Sequence, residues 1–324
     1  MRAAPAGSPP TSDRGPDPST DRLIGTVHEL AADRFAGRRA GTAGGRAASR
    51  WLVDRLRSIG ARVSVDEFPV AAVPELSASP ILQWRHGEQV RRLVHRRDFA
   101  EHLASADLPE PRTAQLATAE VAQWHSRWVL VPGLAPAAEI RARDEGAAGL
   151  LVPRGAGGEG WLPKLLAGPP AGSVPVLAVR AEVHQQMTTS ATTGYAEASA
   201  SVPLRTVVAT GTNVIGVLAE PAPGSDSVLL TAHYDGVGDD PDRRLPAAAD
   251  NASGVAAVLE AARLLAASRP AGMGLTVALL DAEEVGALGS AHHAARLPAG
   301  TYVINVDGAA QLGEAAAVEA GGPA

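Results

Sequence analysis

Between Val228 and Gly254 the chain reads VLLTAHYDGVGDDPDRRLPAAADNASG. An apolar run ends on His233 and Asp235, and after a loop Asp250 opens a helical pattern. Two later apolar runs end in the same manner, one on Asp281-Ala282-Glu283-Glu284 and the other on Asn305-Val306-Asp307. An imidazole and several carboxylates brought together would repel one another and lose hydration, a penalty that a divalent cation removes. Nitrogen and oxygen donors without sulfur suit zinc, and also manganese or cobalt. Taken singly, His-x-Asp is an ordinary hydrogen-bonded pair, Asp250 or Ser253 is a helix cap, Glu283-Glu284 is a solvated loop and Asp307 a turn residue. Taken together, at strand ends and in this order, they point to a metal centre.

Such a centre needs strands whose carboxyl ends are neighbours. Val214–Leu218, Val228–Ala232, Leu275–Leu280 and Thr301–Val306 read as strands. Ser253–Ala267 reads as a helix with Val255, Val258, Leu259, Ala262 and Leu265 on one face, and Ala287–Arg296 as a shorter one. The alternation predicts an α/β fold: a mixed, mostly parallel sheet with helices on both faces. Sites in such sheets gather outside the carboxyl ends of the strands.

The remainder is read as scaffold. Residues 1–20, rich in Pro, Gly, Ser and Asp, are expected to form a disordered tail. Residues 21–70 give the amino-terminal part of the catalytic unit. Here Gly45–Ile59 is an amphipathic helix (Ala48, Trp51, Leu52, Leu56, Ile59) and Arg62–Val70 an alternating strand, while the loop Gly37-Arg38-Arg39-Ala40-Gly41-Thr42 shows no chemistry of its own. Residues 71–205 have another texture, with short apolar runs between proline and glycine loops, one helix at Ala137–Glu145 and a surface loop over residues 158–173. They are expected to form an inserted β-rich module, and residues 206–324 the metal-binding part. His86, His95, His102, His125 and His184 fit no metal spacing and read as surface or packing residues.

Composition sets outer limits. Of 324 residues, 45% are hydrophobic and 20% charged, an ordinary globular balance. A net charge of −6 does not suggest nucleic acid or an anionic membrane as partner. With no cysteine, disulfides, thiolate ligands and a cysteine nucleophile are excluded. Lys164 is the only lysine. No apolar segment approaches the roughly 20 residues that span a bilayer, and the amino terminus lacks a signal-peptide pattern. As the sequence stands the expected location is cytoplasmic, or secreted if the true start lies upstream.

HELAADRFAGRRAGTAGGRAASRWLVDRLRSIGA, TNVIGVLAE, TAHYDGVG, AADNASGVAAVLEAARLL, DAEEVGALGS and INVDG occur in that order. Together they resemble the zinc aminopeptidase family that includes bacterial leucyl aminopeptidases and aminopeptidase Y. RWVLVPGLAPAAEIRARDEGAAGLLVPRG followed by VPVLAV resembles the protease-associated domain often inserted in that family. The resemblance implies a metallopeptidase acting on peptides with two zinc ions. His233, Asp307 and a bridging Asp250 would hold one zinc, and Asp250 and Glu284 the second. Glu283 would be the general base, and Asp235 would orient His233, fixing its tautomer. A two-metal site brings the pKa of bound water toward about 7, so that hydroxide attacks the peptide near neutrality. The family supplies a last histidine to the second zinc beyond the position of Asp307, and none follows here; His292 and His293, the only late candidates, read as exposed. The chain therefore reads as truncated at its carboxyl end, with one complete zinc site and one impaired. Related folds also serve receptor-like proteins, carboxypeptidases and glutaminyl cyclases. The intact His233, Asp250, Glu283, Glu284 and Asp307 favour an inactive fragment over a receptor-like protein as the alternative, and the adjacent Glu283-Glu284 pair favours a hydrolase over a cyclase, with a carboxypeptidase left open.

Overall fold

The computed structural model describes residues 18–157 and 160–309; of the expected tail, residues 1–17 lie outside them. Order starts a little earlier than expected. Helix α1 (Thr20–Leu30) opens on Ser19, whose Oγ accepts the Arg22 N–H, and α2 (Ala43–Ser58) on Thr42, whose Oγ1 accepts the Gly45 N–H at 3.1 Å. The expected stripe of α2 is buried at Ala48, Leu52 and Leu56.

Strand β1 (Arg62–Leu76) runs six residues past the point where its apolar alternation fades. The second sheet follows, with β2 (Ile81–His86), β3 (Gln89–Arg92), β4 (Phe99–Glu101), β5 (Leu108–Thr118), β6 (Arg127–Leu130), α3 (Pro136–Glu145), β7 (Gly149–Arg154), β8 (Val176–Arg180), α4 (Ala181–Ala191) and β9 (Ala196–Val202). The chain then returns through β10 (Leu204–Ala219), β11 (Ser227–His233), α5 (Ser253–Ser268), β12 (Gly274–Leu280), α6 (Leu288–Ala294) and β13 (Thr301–Asn305).

The strands form two sheets, ordered β1-β10-β12-β11-β13 and β3-β2-β9-β5-β6-β7-β8-β4. In the first, β10 is antiparallel to both β1 and β12, whereas β11 is parallel to β12 and β13. The sheet is thus mixed in equal measure and not mostly parallel. The physical reason lies in β1 and β10, which pair antiparallel from Arg62↔Val217 to Leu76↔Leu204 and form a long two-stranded arm between the sheets. Leu76 and Leu204, at the far end of that arm, belong to the core of the second sheet.

One face of the first sheet is covered by α1, α2 and α5, whose Leu30, Leu52, Leu56, Val255 and Val258 pack on Val214, Leu230 and Val277. On the other face a smaller cluster of Leu229, Ala278 and Leu280 meets Ile215 and Leu297. Parallel register sets His233 beside Leu280 and Thr231 beside Asn305. Asp281–Glu284 and Asp307 therefore leave the sheet at the same edge as His233.

The 158–173 loop is largely exposed among its described residues, as expected, but Leu162 and Leu166 are buried and the Lys164 side chain turns in against residues 238–240. No helix among the described residues is long and apolar enough to cross a membrane.

Candidate metal centre

His233 ends a strand paired on both sides, so its ring is fixed and almost fully buried. Its Nε2 lies 3.0 Å from Asp250 Oδ1 and 3.3 Å from Asp307 Oδ1. One donor atom from each of these three residues falls within 4.8 Å of the other two. The two carboxylates are largely exposed and the imidazole is not, so the group opens to solvent on its carboxylate side. On the other side His233 Nδ1 is buried 3.5 Å from Asp235 Oδ1, in a geometry that makes no proper hydrogen bond.

Asp235 has a further task. Its Oδ1 accepts the Glu283 N–H at 3.1 Å and its Oδ2 the Glu284 N–H at 3.2 Å. The carboxylate that faces His233 thus also ties down the glutamate pair. Asp250 sits in the turn Ala248–Ala252 before α5, where the Asp250–Asn251 peptide is cis. Asn251 joins the remaining pieces. Its Nδ2 donates to Val306 O at 3.0 Å, and its Oδ1 accepts the Gly254 and Gly308 N–H groups at 2.9 and 3.1 Å. The start of α5 and the segment carrying Asp307 are thereby locked together. Glycine is required at residue 254, since a Cβ there would collide with Val306 O at 2.5 Å.

Beneath the site lies Arg38, wholly buried. Its Nε donates to Tyr234 O at 2.7 Å, Nη1 to Leu30 O and Pro246 O at 2.7 and 2.8 Å, and Nη2 to Ala247 O at 2.6 Å. One side chain therefore holds the backbone between His233 and Asp235 and the approach to Asp250. Burial pulls the Arg38 pKa down to about 10, against the opposing charges of Asp235, Asp250 and Glu284.

The carboxylates at the site crowd one another and the imidazole. Burial disfavours a charged His233, yet Asp235, Asp250 and Asp307 outweigh it and push the imidazole up to about 11. Burial, then the charges of Asp250 and Asp235, pushes Glu284 up to about 8, and burial followed by Asp235 pushes Asp281 up to about 7. Glu283 is raised as well, with burial again the leading cause. Excess negative charge is here relieved by holding protons, which is the condition a divalent cation meets without them. The donor set, one imidazole nitrogen and carboxylate oxygens, suits zinc.

Of the residues singled out in the sequence, His233, Asp250 and Asp307 come together, while Asp235, Glu283 and Glu284 line the adjoining loop. His292 and His293 are half-buried, not exposed. His292 stacks on Phe68 with Nε2 3.2 Å from Asp66 Oδ2. His293 lines a cavity of about 350 Å³ together with His233, Glu283 and Asp307. Arg38 and Asn251, which tie the backbone of the site together, are positions that the sequence reading passed over. The DN step before a helix was a usable signal for Asn251; Arg38 had none to separate it from Arg39.

No curated protein sequence matches the chain. Among solved structures, an aminopeptidase from Aneurinibacillus sp. strain AM-1 is similar with a TM-score of 0.65 at 20% identity, over 90% of this chain and 70% of its own. The zinc aminopeptidase BSAP from Bacillus subtilis gives 0.61 at 24% identity, over 89% and 68%. A peptidase M28 precursor from Shewanella amazonensis SB2B gives 0.64 at 18% identity, over 89% and 71%. At such identities the likeness is one of fold. The sequence itself matches Peptidase family M28 over residues 213–324, the segment that holds His233, Asp235, Asp250, Glu283, Glu284 and Asp307.

Proposed function

We propose that this chain is a zinc-dependent metallopeptidase that removes amino-terminal residues from peptides. The observation that carries the reading is the convergence of His233, Asp250 and Asp307 on one point, with the Glu283-Glu284 loop pinned beside it by Asp235. His233, Asp250 and Asp307 would hold the first zinc. Asp250 and Glu284 would serve a second, weaker position, for which the described residues bring no further imidazole to the donor group.

A cation held there supplies a more acidic water and a polarised substrate carbonyl. The protein's own groups do the rest. Glu283 accepts the proton of the attacking water and returns it to the leaving amine. Asp235 keeps Glu283 in place through the backbone and faces the far nitrogen of His233. The carboxylates on the solvent side leave the site open to a peptide end.

The test is Glu283→Gln in the full chain, with zinc content and turnover of amino-acid anilides measured side by side. One tightly held zinc per chain is expected in parent and variant alike, and turnover should fall by roughly 10²–10⁴-fold. Absence of tight zinc in the parent, or undiminished turnover in the variant, refutes the reading. Free-amine against N-acylated substrates separates aminopeptidase from carboxypeptidase or cyclase chemistry.

A further inference from the structure

Residues 236–247 connect His233 and Asp235 to the turn that carries Asp250, and the β-rich part of the chain grips this loop. Arg96 Nε donates to Asp240 Oδ2 at 2.8 Å and its Nη2 to Asp240 Oδ1 at 3.0 Å. Lys164 Nζ lies 3.2 Å from Asp240 Oδ1 and donates to Gly238 O and Asp239 O, both at 3.0 Å. All three side chains are buried, with Asp240 fully so. Glu101 balances the second cation, accepting Arg96 Nη2 at 2.6 Å, with His95 Nε2 3.0 Å from its other oxygen.

The grip is transmitted along the loop. Asp240 and Arg243 exchange backbone hydrogen bonds at 2.9 and 3.3 Å, and Asp239 Oδ1 accepts the Leu245 N–H at 2.8 Å. Pro246 and Ala247 carbonyls are held by Arg38, and the Ala252 N–H reaches Ala247 O at 3.3 Å. A hydrogen-bonded path therefore runs from Asp240 to the turn of Asp250. Buried ion pairs contribute little net stability compared with apolar packing of the same volume. A charge cluster at this place therefore serves geometry more than stability.

We infer that the β-rich part acts as a strut for the metal centre, with Arg96 and Lys164 as positioning residues that set the separation of Asp250 from His233. This rests on the metallopeptidase reading above. Neither residue touches substrate or metal; each acts through the 236–247 loop.

The experiment uses the full chain and cobalt(II) as the probe, with its dissociation constant read by chelator competition and its ligand-field spectrum recorded. Lys164→Met and Asp240→Asn are compared with Leu116→Ala, a cavity in the core of the second sheet away from the loop. Loss of supporting contacts around metal ligands typically weakens binding about 10–100-fold. Lys164→Met and Asp240→Asn are each expected to weaken cobalt by about tenfold or more and to alter the spectrum. Leu116→Ala should lower the melting temperature and leave both metal readouts unchanged. Unchanged affinity in the two loop variants, or an equal loss in Leu116→Ala, overturns the strut. A parent that binds no cobalt or zinc overturns the metal reading and the strut together, whereas parental binding with unaffected variants overturns the strut alone.

Discussion

Replacing Arg38 by methionine tests how much of the site is held by one buried cation. Four main-chain carbonyls, those of Leu30, Tyr234, Pro246 and Ala247, would lose the guanidinium at once, though Ala247 O keeps the Ala252 N–H and Pro246 is an exposed residue. A buried acceptor left unpaired costs about 1–3 kcal/mol, so the Leu30 and Tyr234 carbonyls together would cost roughly 2–6 kcal/mol if neither relaxed. Against this, removing the cation returns its own desolvation penalty, several kcal/mol for a buried ion. Asp235, Asp250 and Glu284 also lose a nearby positive charge, which returns part of that gain. The balance falls at about 1–3 kcal/mol of destabilisation, the two buried carbonyls outweighing the returned desolvation. That is a large share of the roughly 5–15 kcal/mol available to a folded protein. Arg38→Lys keeps the charge but not the planar fork that reaches three segments, and should recover only part of the loss. The assay is urea unfolding of the metal-free chain, followed by circular dichroism and fluorescence. Arg57, largely exposed, is the control, and its replacement by alanine should leave the midpoint in place. A loss below about 1 kcal/mol for Arg38→Met would show that water or local shifts satisfy those carbonyls, and the proposed anchoring would fail.

Two further outcomes are expected. Asn251→Ala removes the three hydrogen bonds that join α5 to the Val306–Gly308 segment, so zinc affinity should drop at least tenfold by chelator competition; retained affinity would mean that Asp307 finds its place unaided. For the Asp240–Glu101 cluster, burial alone would raise both carboxylates, but Arg96, Lys164 and His95 hold both below the usual range. A depressed folded pKa gives stability that is present above the unfolded value of about 4 and lost as pH falls through the folded one. The melting temperature should therefore fall more steeply below pH 4 in the parent than in Asp240→Asn, and equal slopes would exclude this linkage.

What could be read in the sequence, and what could not, divides along a physical line. His233, Asp250 and Asp307 stood out because imidazole and carboxylate side chains at the ends of several apolar runs are rare enough to notice. The parallel strands and α5 were legible from large apolar residues at regular spacing. The first ten residues of β10 were not, since Leu204 to Asn213 is mostly threonine, alanine, valine and glycine, and its partner in the arm lies more than a hundred residues away. The same distance hid the positioning residues. Arg38 and Tyr234 are 196 positions apart, and the acceptors Arg38 finds are backbone carbonyls, which every residue carries. Nothing in the type of Leu30, Pro246 or Ala247 marks it as a partner. Lys164 was hidden in a further way, in a proline- and glycine-rich stretch that reads as surface and is largely exposed, with the Lys164 side chain turned in to Gly238 O and Asp239 O. A candidate metal site thus shows its donor types in the sequence and conceals what holds them apart. The segments that carry His233 and Asp250 are tied by Arg38 to main chain, whereas the contacts of Arg96 and Lys164 with the 236–247 loop exist only once the second sheet is in place.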